Sequence, residues 1–187
     1  MYEAIEDLRT KVTVFATDGK TVHYEKLQRY DTVINLDVPN AQSYEDEEGN
    51  VLVATATAQL FACGKEMNIY AKKDAAEAPE VAIVGKDHKD YKGFSIFAHV
   101  NVENATEYGI IFANSKAGAN KDFTLKSVAA DTEKTKFTTI KIDATNVGQA
   151  DFMGTLNYKK DKNPTRYARA YVIVGDVEYY SNVVINK

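Results

Sequence analysis

Hydrophobic and polar residues alternate with a period of two over short stretches of the first half, a pattern that indicates β-strands. The predicted strands cover residues 11–15, 21–27, 32–38 and 66–73. Asp18-Gly19 is a hairpin signal between the first two strands, and Pro39 ends the third because proline has no N–H to donate. Residues 50–61 predict one long strand or two short ones. Only residues 2–10 show a helical pattern, and that stretch is short.

The second half is predicted to contain a further series of strands joined by turns. They cover residues 81–85, 92–102, 106–115, 136–142, 166–174 and 177–185, with one more inside 146–158. Residues 116–122 are predicted to form a loop. Gly175-Asp176 is a two-residue turn, which predicts that the last two strands pair antiparallel. Strands at this spacing with turn signals between them are typical of an antiparallel sandwich.

The predicted strand 166–174 has two faces of different character, because successive side chains of a strand point to opposite sides of its sheet. One face is aromatic with a cation, and its members are Tyr167, Arg169, Tyr171 and Ile173. The other face is small and aliphatic, and its first members are Ala168, Ala170 and Val172. We expect the aliphatic face to pack inward, although a tyrosine can also bury its ring and expose its hydroxyl.

A stretch of linker composition separates the two series of strands. Residues 72–80 read KKDAAEAPE, which is charged, rich in alanine and contains Pro79. We therefore predict a first domain over residues 1–73, a linker over 74–82 and a second domain over 83–187.

Composition and charge narrow the classes of function. The chain has 187 residues, of which 44% are hydrophobic and 27% charged, as in globular proteins. Its net charge of -4 argues against a nucleic-acid partner, which requires a basic surface. No apolar run approaches the ~20 residues of a membrane span, so membrane insertion is not expected. The acidic start is unlike a signal peptide, so we expect a cytoplasmic chain or a fragment of an exported protein.

Both halves resemble modules of bacterial surface proteins. Residues 81–187 resemble a fibronectin- or immunoglobulin-like module of large secreted proteins from Gram-positive gut and rumen bacteria, on the segments TEYGIIFANS, FTLKS and RYARAYVIV…VEYYSNVVI. The hairpin of such modules ends near a Tyr-Ser step, here Tyr180-Ser181. Residues 11–71 resemble the β-grasp-like internalin B-repeat, on the segments VTVFATDGK, YDTVINLDVP, EDEEGNVL and GKEMNIYA. The tryptophan that this repeat carries before its D-x-E-G-N turn is absent.

The resemblance implies an all-β chain, a small β-grasp-like antiparallel domain followed by an antiparallel immunoglobulin-like β-sandwich. It also implies an extracellular or cell-surface location and a role as spacer or binding unit. No catalytic residues belong to these modules, so we expect a protein that is not an enzyme. Possible partners are a polysaccharide or a surface protein of a host or partner cell, and the isolated fragment is expected to be a monomer.

The residues themselves give few candidates for chemistry. His23, His88 and His99 are scattered and lack the close spacing of a zinc motif, so we expect no metal site among them. The acidic run Glu45–Glu48 could bind calcium, or it could be a solvated turn. Phosphate-loop, nucleophile-elbow and dinucleotide motifs are absent, and no cofactor is expected. Cys63 is expected to be a small buried hydrophobic residue.

Aromatic residues of the last predicted hairpin are the candidate ligand-binding residues. Tyr167, Tyr171, Tyr179 and Tyr180 cluster there and could stack against sugar rings, or they could be core or interface residues. The favoured interpretation is a non-catalytic structural or adhesion module pair. The alternative is a carbohydrate-binding module attached to a plant-fibre- or glycan-degrading system, and an enzyme fragment is the third.

Overall fold

The computed structural model describes residues 9–29, 32–87, 93–142, 151–157 and 164–186. The chain forms two compact units, Met1–Ala78 and Pro79–Lys187. Strands make up 55% and helices 6% of the described residues, so the predicted all-β class is confirmed. None of the helices in these ranges has the length and apolarity needed to cross a membrane.

The described residues of the first unit form seven strands, and all four strands predicted outside residues 50–61 are among them. These strands are β1 (Arg9–Phe15), β2 (Val22–Arg29), β3 (Val33–Leu36), β4 (Ser43–Glu45), β5 (Val51–Val53), β6 (Ala58–Phe61) and β7 (Glu66–Lys72). Residues 50–61 thus form two short strands rather than one. Arg9 and Thr10, predicted to be helical, begin β1, and residues 1–8 lie outside the described residues.

The predicted hairpin at Asp18-Gly19 joins β1 and β2, which pair antiparallel. Gly19 has a φ of 68°, a left-handed value that glycine adopts without strain. The Asp18 carboxylate accepts hydrogen bonds from the backbone N–H groups of Lys20 and Thr21, both at 2.8 Å. It also accepts one from the Thr21 hydroxyl, and these bonds lower the pKa of Asp18 to about 2.

The strands of the first unit form a five-stranded sheet, in the order β2-β1-β7-β4-β5, and a two-stranded sheet of β3 and β6. The larger sheet departs from the antiparallel prediction at its centre, because β1 and β7 pair in parallel from Lys11 opposite Glu66 to Phe15 opposite Tyr70. Antiparallel pairs flank this centre on both sides. The first and last strands of the unit therefore lie side by side, as in a β-grasp sheet.

One face of the five-stranded sheet carries the apolar core of the first unit. Alternate residues of β1 and β7 are buried on this face, namely Val12, Val14, Met67, Ile69 and Ala71. The smaller sheet adds buried Ile34, Leu36 and Leu60. Cys63 is buried as expected, and its Sγ lies 3.5 Å from the Met67 sulfur. The opposite face of the larger sheet carries the intervening polar and aromatic residues.

In the second unit, the part of the chain that the structure describes forms eight strands and two short helices. They are β8 (Val81–Asp87), β9 (Gly93–Val100), β10 (Glu107–Asn114), α1 (Ser115–Gly118), α2 (Leu125–Ala129), β11 (Phe137–Ile142), β12 (Asp151–Asn157), β13 (Arg166–Val174), β14 (Val177–Tyr180) and β15 (Val184–Ile185). One sheet has the order β11-β10-β13-β14, with β15 also on β13, and the other has the order β12-β9-β8. Residues 92, 146–150 and 158 of the predicted strands lie outside the described residues.

Residues from both sheets share one apolar cluster, which makes the second unit a β-sandwich. Its largest fully buried members are Phe94 and Ile96 from one sheet and Tyr108, Ile110 and Phe112 from the other. Ala168, Ala170 and Val172 also belong to it, so the predicted inward face of β13 is confirmed. The predicted terminal hairpin is confirmed too, since Val174 pairs with Val177 across Gly175-Asp176.

The outer face of the β10–β13 sheet is also buried, by the segment that connects β10 to β11. This connecting segment, residues 115–136, contains α1 and α2. α1 overlaps the start of the loop that was predicted for 116–122, whereas α2 lies beyond it. Thr124 caps α2, since its hydroxyl and that of Ser127 each accept from the other's backbone N–H. Phe123 of this segment packs with Ile111 and Tyr171 in a second apolar cluster.

The stretch predicted to be a linker lies between the last strand of the first unit and the first strand of the second. Residues 73–80 contain no strand, and the units divide between Ala78 and Pro79. Val81 and Ala82, which the prediction included in the linker, begin β8.

Candidate functional site

The four candidate tyrosines of the terminal hairpin do not share one exposed surface. Tyr167, Tyr171 and Tyr180 belong to the second apolar cluster on the outer face of the sheet, whereas Tyr179 packs against the inner core. Tyr171 has an exposed fraction of 0%, so its ring cannot stack against a sugar, and this part of the prediction is wrong. Alternation along β14 explains the separation, because the adjacent Tyr179 and Tyr180 must point to opposite faces.

The hydroxyl of Tyr171 is bound to a charged pair at the edge of the second cluster. It donates to Glu107 Oε1 at 2.8 Å, and Lys141 Nζ donates to the same carboxylate at 3.0 Å. Burial and the Glu107 carboxylate raise the pKa of Tyr171 far above its ordinary value, so the hydroxyl remains a donor. Burial raises the pKa of Glu107, but the hydrogen bonds from Lys141 and Tyr171 outweigh it and the net direction is downward.

Tyr180 connects the terminal hairpin to the connecting segment. Its hydroxyl accepts a hydrogen bond from the backbone N–H of Leu125 at 2.9 Å and donates to the Glu178 carboxylate. Burial, followed by the hydrogen bond to Glu178, raises the pKa of Tyr180 to about 12. The hydroxyl therefore stays protonated at neutral pH and holds the start of α2 against the hairpin.

Arg169 makes a second connection between the same two parts of the unit. Its Nε donates to the carbonyl of Ser181 at 2.8 Å, and a terminal guanidinium nitrogen donates to the carbonyl of Phe123 at 3.1 Å. The guanidinium carbon lies 4.7 Å from the centroid of the Tyr180 ring, which is cation–π geometry. Arg169, the cation on the aromatic face of β13, thus binds the connecting segment to the terminal hairpin.

Two glycines show how closely the backbone packs on the tyrosine rings. A Cβ atom added at Gly118 would lie 2.2 Å from Tyr167 Cδ2, and one at Gly109 would lie 2.8 Å from the Tyr171 hydroxyl. Cβ atoms essentially never approach other heavy atoms this closely. Tyr167 and Tyr171 are therefore packing residues of the second cluster.

The acidic turn Glu45–Glu48 uses its carboxylates for separate protein contacts. Asp46 Oδ1 accepts from the backbone N–H groups of Glu48 and Asn50, at 2.9 and 2.8 Å. Glu45 is paired with Lys72 at 3.0 Å, while Glu47 accepts from Asn68 at 3.3 Å. Within the described ranges, no group of three or more histidine, cysteine, aspartate or glutamate residues is arranged to hold a metal ion.

The histidines have unrelated surroundings. His99 is largely buried on β9, and its Nδ1 lies 3.0 Å from Asp151 Oδ1 on β12. His23 is exposed on β2, and His88 lies outside the described residues. His23 and His99 belong to different units.

An aromatic site that the sequence did not indicate lies on the first unit. The open face of the five-stranded sheet, opposite its core, carries Phe15 and Tyr70 on the neighbouring strands β1 and β7. Their rings stack with centroids 4.5 Å apart and an angle of 5° between planes. Val22 lies opposite Phe15 in the register. We call Val22, Phe15 and Tyr70 the aromatic row, which crosses three strands.

Charged and polar side chains flank the aromatic row. Glu45 pairs with Tyr70 in the register, and its carboxylate is bound to Lys72. Along β1, the next residues on the open face are Thr13 and Lys11, and Lys11 Nζ lies 3.1 Å from Glu25 Oε2. In the described part of the chain, no hydrogen bond to the Tyr70 hydroxyl is present, unlike the bonded hydroxyls of Tyr171 and Tyr180.

Comparisons with known proteins add little to this picture. No protein-family model and no curated protein matches the chain. Among solved structures, a DUF3823 family protein from Bacteroides uniformis ATCC 8492 is similar with a TM-score of 0.38 and 10% sequence identity. The alignment covers 98% of this chain and 90% of that one. A TM-score this low carries no information about function.

Proposed function

We propose that the chain is a non-catalytic pair of structural or adhesive modules from a bacterial cell-surface or secreted protein. The resemblance of both halves to modules of such proteins motivates the proposal. The observation that carries it is the tethering of the terminal hairpin in the second unit. Arg169 and Tyr180 hold the connecting segment across the sheet, and this gives the sandwich a second apolar layer. A module that spaces or displays other domains requires such internal cohesion rather than an open site.

Variants of the hairpin tyrosines distinguish this role from the alternative. In the alternative, the chain is a carbohydrate-binding module whose tyrosines stack against sugar rings. If Tyr180 is a tether, Tyr180→Ala lowers the melting temperature of the second unit and leaves any retardation in polysaccharide gels unchanged. If it stacks on sugar, the same change abolishes retardation with little effect on melting. Tyr179→Ala is the companion variant, since Tyr179 packs against the inner core.

Calorimetry of the full chain, with affinity electrophoresis of the same samples, tests the proposal. Release of reducing sugar from cellulose, xylan, pectin and starch tests the non-catalytic part. Hydrolysis of any of these polymers by the purified chain contradicts it. Unchanged melting of Tyr180→Ala together with lost retardation favours the carbohydrate-binding alternative at the hairpin.

A further inference from the structure

The open face of the first unit has an apolar part that is long and narrow. The aromatic row runs across the strands from Val22 on β2 to Tyr70 on β7, which is two strand spacings, or about 10 Å. Val22 is 48% exposed, and Phe15 and Tyr70 are partly exposed. Stacking covers one face of each ring but leaves their outer edges and the Tyr70 hydroxyl for other contacts.

The next rows along the strands are polar, which limits the width of the apolar part. Thr13 lies between Glu25 and Asn68 in the register. In the row beyond it, Lys11 lies between Glu66 and Leu27, so the one apolar side chain of that row is separated from the aromatic row by polar residues. Protein–protein interfaces bury about 800 Å² on each partner and are depleted of charged residues at their centre. A single row of three apolar side chains between charged pairs does not meet that description, so a protein partner is disfavoured.

The charges on this face favour a ligand that is itself uncharged. Two lysines, Lys11 and Lys72, are paired with glutamates at 3.1 and 3.0 Å. The four glutamates of this region are balanced by four cations, because Arg9 and Arg29, which pair with each other across β1 and β2, lie on the same face as Lys11. The glutamates are Glu25, Glu45, Glu47 and Glu66. A balanced set of charges gives no net attraction to an anionic or a cationic polymer, and the paired lysines are poorly available to bind an anionic one. A cationic ligand would need to displace lysines already in place.

We propose that the aromatic row and the polar groups beside it form a binding face for a neutral polysaccharide. Pyranose rings combine apolar C–H surfaces with hydroxyl groups, which matches a row of rings and methyl groups bordered by donors and acceptors. Carboxylates in ion pairs retain acceptor capacity for hydroxyl groups. The Tyr70 hydroxyl, Asn68 and Glu45 supply hydrogen bonds along one side. The inference rests on the adhesive role proposed above and assigns that role to the first unit.

Affinity electrophoresis of the full chain tests this face with hydroxyethyl cellulose, xylan and soluble starch as neutral probes. Polygalacturonate is the anionic probe. We expect retardation on at least one neutral polymer and weaker or no retardation on polygalacturonate. Tyr70→Ala and Phe15→Ala should each weaken binding about tenfold, since aromatic contacts dominate small recognition surfaces. Tyr70→Phe keeps the ring stack and should weaken binding roughly threefold through the lost hydroxyl.

Phe61→Ala is the matched control, because Phe61 is an exposed aromatic residue of β6, which belongs to the two-stranded sheet and not to the sheet that carries the aromatic row. It should leave retardation unchanged. A second measurement uses the wild-type chain and so does not depend on the folding of any variant. The chain is titrated with an oligosaccharide of a polymer that retards it, and the NMR chemical shifts of the backbone amides should change in β1 and β7. Absence of retardation on every neutral polymer, stronger binding to polygalacturonate, or shifts confined to the second unit overturns the inference.

The outcome is separable from that of the proposed function. The chain could show no retardation on any polymer while Tyr180→Ala still destabilises the second unit. That result would leave the proposed structural role intact and would contradict only the glycan-binding face. Hydrolysis of a polymer contradicts the proposed function whatever the effect of the Phe15 and Tyr70 variants.

Discussion

Replacing Tyr171 by phenylalanine removes one buried hydroxyl group and keeps the ring that fills the second apolar cluster. The hydroxyl donates to Glu107 at 2.8 Å, and a hydrogen bond to a charged acceptor contributes about 1.5–3 kcal/mol. Glu107 keeps its bond to Lys141, and its side chain is 29% exposed, so water can replace part of the lost interaction. We therefore expect a loss near the lower limit, about 1.5 kcal/mol in the free energy of unfolding.

Urea unfolding and calorimetry of the full chain measure this effect. For a unit the size of Pro79–Lys187, a loss of 1.5 kcal/mol corresponds to a decrease of roughly 6 °C in the melting temperature of its transition. The transition of the first unit should not move, and it serves as an internal reference.

Tyr167→Phe is the matched control for this change. Tyr167 lies on the same strand and face, but no hydrogen bond from its hydroxyl is present in the ranges that the structure describes. Its removal should alter the free energy of unfolding by less than about 0.5 kcal/mol. Equal effects of the two variants, or a loss below about 0.5 kcal/mol for Tyr171→Phe, would refute the assignment of the Tyr171–Glu107 bond as a stabilising contact.

Three further predictions follow from the packing, the charges and the linker. Gly118→Ala should destabilise the second unit by about 1–3 kcal/mol in urea unfolding, because the added Cβ meets the Tyr167 ring. The folded state lowers the pKa of Glu107 below its ordinary value of 4.5. Its contribution to stability is therefore present above that pH and is lost as the pH falls through the folded value, so Glu107→Gln should reduce the acid sensitivity of unfolding between pH 7 and 3. Limited proteolysis should cut first within residues 73–80, and mass spectrometry of the earliest fragments locates the cut. A first cut inside a strand would contradict this prediction.

The sequence alone determined the local elements that depend on alternation and turn chemistry. The terminal hairpin is an example: two alternating strands flank Gly175-Asp176, and the pairing of Val174 with Val177 follows from the length of the turn. The inward face of β13 was predictable as well, because Ala168, Ala170 and Val172 recur every second residue. These features need only contacts between residues that are near one another in the chain.

Tertiary structure decided which distant strands meet and what covers each face. The parallel pairing of β1 with β7 brings Phe15 next to Tyr70, and nothing in the alternation of either strand specifies the other as its neighbour. The aromatic and cationic face of β13 has the same pattern whether water or a second layer covers it, so the sequence leaves both ligand binding and packing open for its tyrosines. Only the folded path of the connecting segment, tied by Arg169 and Tyr180, buries Tyr171. Pairing between distant strands depends on the closure of a whole core, and a pattern confined to a few neighbouring residues does not contain that information.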